Sequence, residues 1–162
     1  MSKLDWEIHP KIGAGPINFS MDKSTISSII GEPIDQNEIY GGDIREYRQS
    51  DDSKYDLILQ YTKENLSAIV LPCLENDIKI FGEKIYKSSA SDIVRDIMKK
   101  NGGFYTDYGD YDLCFNSLNL ILHDFMSSDR SDKGVSVWSE AAYARLISNL
   151  ELDGPGRDIY EL

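Results

Sequence analysis

The chain predicts an α+β fold, an antiparallel sheet packed on one face by helices and built as a tandem repeat of a helix followed by three strands. Short alternating runs carry the strand prediction: Tyr55, Leu57, Leu59 and Tyr61 interleave with Asp56, Gln60 and Thr62, and only Ile58 breaks the polar side. Two apolar helical stripes, each with start and stop signals, precede groups of such runs. The tripeptide Tyr55-Asp56-Leu57 recurs as Tyr111-Asp112-Leu113 after the second helix.

Gly13, Gly15 and Pro16 break the chain before a short strand at Ile17 to Met21. Asp22 is placed to cap a helix whose stripe is Ile26, Ile29 and Ile30, and Gly31 with Pro33 stops it. Its β-branched residues make this helix depend on packing rather than on propensity. Ile39-Tyr40 and Ile44 to Arg48 flank Gly41-Gly42, a hairpin signal. The run ending at Thr62 turns at Lys63-Glu64-Asn65, returns through Leu66 to Cys73, and is followed by an extended run from Ile78 to Ile85.

The second round opens with Ser89 and Asp92, a variant capping box, ahead of the stripe Ile93, Val94, Ile97 and Met98. Lys99 and Lys100 complement the helix C-terminus and Gly102 closes it. Strands from Leu118 to Phe125 and from Gly134 to Trp138 then match Leu66 to Cys73 and Ile78 to Ile85 in order. A last helix, Glu140 to Leu150, gathers Ala142, Leu146 and Leu150 beside Tyr143 and Ile147. Residues 1–150 are therefore expected to form one domain of two similar halves, about 1–76 and 77–150. The acidic, Gly/Pro-broken segment 151–162 is expected to be a mobile or partner-contacting tail. With all helices on one face, the other sheet face would be an open, preordered docking surface.

The chain has 162 residues, 41% of them hydrophobic, enough for a sizeable core. Twenty-eight acids against 17 bases leave a net charge of −11, which repels nucleic acid and anionic membranes and attracts basic partners. The N-terminal stretch carries acids and no apolar core of a secretory signal, and the longest apolar run, Ala68 to Leu74, contains Pro72 and is too short to span a bilayer. Cys73 and Cys114 lie far apart, as suits buried thiols in a reducing compartment. The expected location is the cytoplasm.

No cofactor or metal is predicted: C-x-x-C, H-E-x-x-H and EF-hand patterns are absent, and the Gly13-Ala14-Gly15-Pro16 run is no phosphate loop. The one constellation suggesting catalysis is Cys114 with His123, oriented by Asp112 or Asp124. A hairpin turning at Leu118-Asn119 would set them opposite each other; one turning at Ser117-Leu118 would separate them. Packed thiol and half-exposed histidine is the expected outcome, so no enzyme is predicted.

The distinctive stretch is Gly102 to Asp112, where Tyr105, Tyr108 and Tyr111 alternate with Asp107, Asp110 and Asp112 and no base balances them. Tyrosine gives large contact area at low entropic cost, and a charged rim steers association. Asp51, Asp52 and Asp56 occupy the corresponding connection of the first half. Together these nine residues are the predicted partner-binding rim, shaped for a basic cleft.

The stretch from Gly13 to Pro33, with Phe19, Met21, the Asp22-capped helix and Gly31-Glu32-Pro33, resembles a Gly-x-x-x-Phe-Gly-Met-Thr signature of small bacterial α+β proteins, Ser20 and Asp22 replacing its glycine and threonine. That signature occurs in outer-membrane-assembly lipoproteins and in immunity proteins of contact-dependent inhibition and related polymorphic toxin systems. The tandem plan is also similar to that of secreted β-lactamase-inhibitor proteins. The chain lacks the signal and near-terminal lipid-bearing cysteine of the first group and the export signal of the last. The immunity resemblance implies an antidote that binds a cognate basic toxin domain, often a nuclease, at or beside its active-site cleft. An adaptor for another basic protein is the alternative expectation, and a small thiol enzyme a more remote one.

Overall fold

The computed structural model describes residues 6–39, 41–48, 57–72, 78–86, 89–101, 105–107, 112–125, 127, 133–148 and 153–155. Three short strands open the chain: β1 (Trp6–His9), β2 (Gly13–Ala14) and β3 (Ile17–Asn18). Gly13 is required where β2 meets β3, because a Cβ there would stand 2.2 Å from the Ile17 carbonyl oxygen. Helix α1 (Lys23–Ile30) starts where Asp22 accepts the Thr25 backbone N–H at 2.8 Å, and it ends at Gly31, whose φ of 86° few other residues adopt. Ile26 and Ile30, four residues apart, are buried; Ile29 points about 100° away from Ile30 and is 39% exposed.

Strands β4 (Asp35–Glu38), β5 (Ile44–Arg48), β6 (Leu57–Thr62) and β7 (Asn65–Pro72) follow as an antiparallel meander. The first hairpin forms around Gly41-Gly42, but its leading strand is Asp35–Glu38 rather than Ile39-Tyr40. Ile39 already belongs to the turn, where its N–H bonds the Asp43 carbonyl at 2.8 Å. The Ile78 to Ile85 run divides into β8 (Ile78–Ile80) and β9 (Glu83–Lys84), because Phe81 and Gly82 adopt φ of 50° and 79° and fold it into its own hairpin.

Helix α2 (Ala90–Asn101) precedes β10 (Tyr105–Asp107), β11 (Asp112–Phe115), β12 (Leu120–His123) and β13 (Gly134–Trp138), a second antiparallel meander. Helix α3 (Glu140–Ser148) and β14 (Asp153–Pro155) are the last elements among the described residues, β14 pairing with β10. The meanders meet where β7 pairs antiparallel with β13, giving a nine-stranded sheet in the order β14-β10-β11-β12-β13-β7-β6-β5-β4. A second sheet, β3-β2-β1-β8-β9, is tied together by the parallel pair β1 and β8.

This is an α+β fold with three helices among the described residues, but it forms no clear repeat of a helix and three strands. Among the described residues, six strands, β4 to β9, follow α1, and four, β10 to β13, follow α2 before α3. The Tyr-Asp-Leu match also aligns strands in different positions: Ile78–Ile80 joins the small sheet beside β1, whereas Gly134–Trp138 lies at the centre of the large one.

Strand alternation divides the core. Leu57, Leu59, Ile69, Leu71, Leu113, Phe115, Leu120, Leu122, Val135 and Val137 face α1, α2 and the small sheet in one apolar cluster. The opposite face carries Ala68, Cys114, Ile121 and Trp138, and α3 lays Ala142 and Tyr143 over them. Helices thus cover both faces, contrary to the expected single covered face. Small Ala68 and the flat Trp138 ring leave room for α3, which Tyr143 anchors by donating to Asn116 Oδ1 at 2.6 Å. Arg145 adds donations to Asp43 Oδ2 at 3.1 Å and Thr62 Oγ1 at 3.0 Å, while Gln60 also donates to Asp43 Oδ2, at 3.0 Å. No helix among the described residues is long and apolar enough to cross a membrane.

Candidate functional site at the Asp112 end of the sheet

The β11–β12 hairpin turns through Asn116 to Asn119, with Asn119 in the left-handed region at φ 51° and the Leu118 N–H bonding the Phe115 carbonyl at 3.0 Å. This turn is centred on Ser117-Leu118, so Cys114 lies opposite Ile121 and Asp112 lies opposite His123. The thiol–imidazole pair therefore does not form. Cys114 is fully buried in the cluster beneath α3, and its neighbourhood, chiefly through burial, holds the Tyr143 phenol well above its ordinary pKa.

His123 instead joins a polar chain in which Asp112, one of the two carboxylates expected to orient the ring, is its partner, and Ser136 and Trp138 were not anticipated. Its Nδ1 lies 3.2 Å from Asp112 Oδ2, and its Nε2 lies 2.8 Å from Ser136 Oγ, which accepts the Trp138 Nε1–H at 2.8 Å. In the neutral ring, Nδ1–H donates to Asp112 and Nε2 accepts the Ser136 hydroxyl proton. Aspartate, histidine and serine in this order match the connectivity of an acyl-transfer triad. Ser136, however, is 0% exposed, and its hydroxyl is committed both to the ring and to Trp138. A substrate carbonyl has no approach to that oxygen. The chain's evident work is to fix the His123 ring and hold Asp112, whose side chain remains 28% exposed, at the surface.

The signal for Ser136 was present in Gly134-Val135-Ser136-Val137-Trp138. Alternation puts both valines in the main core and leaves Ser136 and Trp138 on the face that carries His123.

The stretch read as a connecting loop contains a strand. Tyr105 to Asp107 pair with β11, which sets Tyr105 opposite Cys114 and Asp107 opposite Asp112. One row across the sheet therefore runs Asp107, Asp112, His123, Gly134 and Pro72. Like charges at directly opposed positions repel, and the imidazole beside Asp112 gives its carboxylate a donor. Three residues of the predicted tail, Asp153–Pro155, add a strand beyond β10. Of the other predicted rim residues, Asp51, Asp52, Asp56, Tyr108, Asp110 and Tyr111 lie outside the described residues.

No protein-family model, curated protein or solved structure matches the chain.

Proposed function

We propose that this chain is a cytoplasmic immunity-type inhibitor that neutralises a basic toxin domain, a nuclease being the favoured class, by presenting the acidic Asp112 end of its sheet to that domain's cationic cleft. The observation that carries the reading is a net charge of −11 on a chain that sets Asp107 opposite Asp112 in its sheet. A surface ordered before contact loses little entropy on binding, and its charge speeds encounter. In this reading Tyr105, Tyr108 and Tyr111 supply contact area, and Asp51, Asp52, Asp56 and Asp110 extend the rim. Asp153–Pro155, paired with β10, flank the site.

The test is capture of the tagged chain from its own cells, identification of the basic protein retained, and measurement of their association. Converting Asp107, Asp110 and Asp112 to asparagine is expected to slow association about tenfold at low salt and to flatten its salt dependence. Unchanged association rates would refute the assignment. A captured basic protein with no toxic activity would favour an adaptor using the same surface.

A further inference from the structure

The sheet's other end offers a second, chemically distinct surface. Strand β4 closes the nine-stranded order, and all four of its residues, Asp35, Gln36, Asn37 and Glu38, are exposed. In an antiparallel pair, alternate residues direct their backbone groups toward the neighbour and the rest direct theirs away. The Ile39 N–H bonds the Asp43 carbonyl at 2.8 Å, which assigns Asn37 and Ile39 to the β5 side. The Gln36 N–H agrees, since it bonds Asp35 Oδ1 at 2.8 Å instead of β5. The outer edge therefore presents the backbone groups of Gln36 and Glu38.

Beside this edge, on the α1 side, runs a groove of about 530 Å³ lined by Lys23, Ser24, Ser27, Glu32, Gln36 and Glu46 among others. Gln36 stands opposite Glu46 in the register, so strand and groove share a face. Glu46 is only 4% exposed. Glu38 on the strand and Glu32 in the groove outnumber Lys23, whose ammonium sits 4.8 Å from the Tyr61 ring centroid, while Glu46 is already paired with the buried Arg48 at 2.9 Å.

We propose that β4 is a strand-addition site for an extended basic segment of another protein. The incoming backbone pairs with the Gln36 carbonyl and with the backbone N–H and carbonyl of Glu38, and every second side chain, lysine or arginine, enters the groove toward Glu32. A second copy of this chain fits poorly, because β4 against β4 brings the Asp35 and Glu38 charges of both copies together. The inference is independent of the Asp112 surface, which lies toward the opposite end of the sheet.

The test uses the isotope-labelled full chain, titrated with a short peptide alternating lysine and valine and with its glutamate–valine counterpart. The lysine peptide is expected to shift the resonances of residues 35–38 and to slow amide exchange at Glu38, and the glutamate peptide to do neither. Glu38→Pro removes an outward donor while leaving the Asn37 and Ile39 bonds to β5, and it should weaken lysine-peptide binding about tenfold. Glu32→Gln, which leaves the strand intact, should weaken it less. Equal binding of both peptides, shifts confined to other strands, full binding by Glu38→Pro, or no binding at all would overturn the proposal. The last result would mean that these acids only guard the edge against pairing.

Discussion

Replacing Arg48 with methionine tests how charge is held inside this fold. Arg48 and Glu46 have 3% and 5% of their side chains exposed, and Nη2 lies 2.9 Å from Oε1. Arg48 also donates to the Gly31 carbonyl beyond α1 and to Ser27 Oγ at 3.3 Å, so one guanidinium ties β5 to the helix end. At that separation the pair is worth about 6 kcal/mol with an effective dielectric of about 20, before the cost of desolvating both groups. Arg48→Met leaves Glu46 buried without its cation and is expected to cost about 3–5 kcal/mol. Glu46→Leu strands the guanidinium at a similar cost. The double variant removes both charges, and because the Gly31 carbonyl sits on an exposed residue that water can serve, its cost should be about 1–2 kcal/mol. Urea unfolding of the wild type and the three variants gives the coupling energy directly. A double variant as unstable as the sum of the singles, to within about 0.5 kcal/mol, would refute the reasoning.

The two buried tyrosines should separate in a second experiment. Burial, and then the Glu46 charge, raise the Tyr61 phenol above its ordinary value of 10.0, against a smaller opposing effect of Arg48; burial, and then Cys114, raise Tyr143. Both keep their protons in the folded state while the unfolded chain ionises, so their contribution is complete below pH 10.0 and is lost as pH rises beyond it. Tyr61→Phe and Tyr143→Phe should each make the alkaline fall in stability shallower, and an unchanged slope would contradict the burial argument. At neutral pH, Tyr143→Phe should cost about 1 kcal/mol through the lost Asn116 bond, whereas Tyr61→Phe should cost less, because its hydroxyl lies beside Glu46 and Arg48 without a hydrogen bond of good geometry. A third prediction concerns the β6–β7 turn, where Lys63 and Glu64 are held at φ 47° and 71°. Replacing them with Asn-Gly should raise the unfolding midpoint by about 1 kcal/mol of stability, and a lower midpoint would show that their side chains hold the turn.

Local signals in the sequence were read well wherever the chain's nearest neighbours decide the outcome. Asp22 and Gly31 bound α1 as expected, Lys63-Glu64 turns a hairpin, and Gly134 to Trp138 is a strand from end to end. The failures share a cause, which is pairing between distant segments. Whether Ile78 to Ile80 joined the large sheet or the small one depended on Trp6 to Ile8, far upstream. Whether α3 would share a face with the other helices depended on Ala68 and Cys114 leaving space for it. At the candidate site, a shift of one residue in the centre of a turn exchanged Cys114 for Asp112 as the partner of His123. Spacing left both arrangements open, and the left-handed Asn119 fits the one that forms.

The junction between β7 and β13 also bears on how the protein is made. As the chain leaves the ribosome, β7 emerges long before the strand that covers its edge, and β1 must wait for β8 before the small sheet can close. The first meander therefore spends the latter part of synthesis with a hydrophobic, unpaired central strand, the condition under which a nascent protein is most exposed to misassembly. Truncation before Gly134 should consequently leave an insoluble product rather than a smaller working domain.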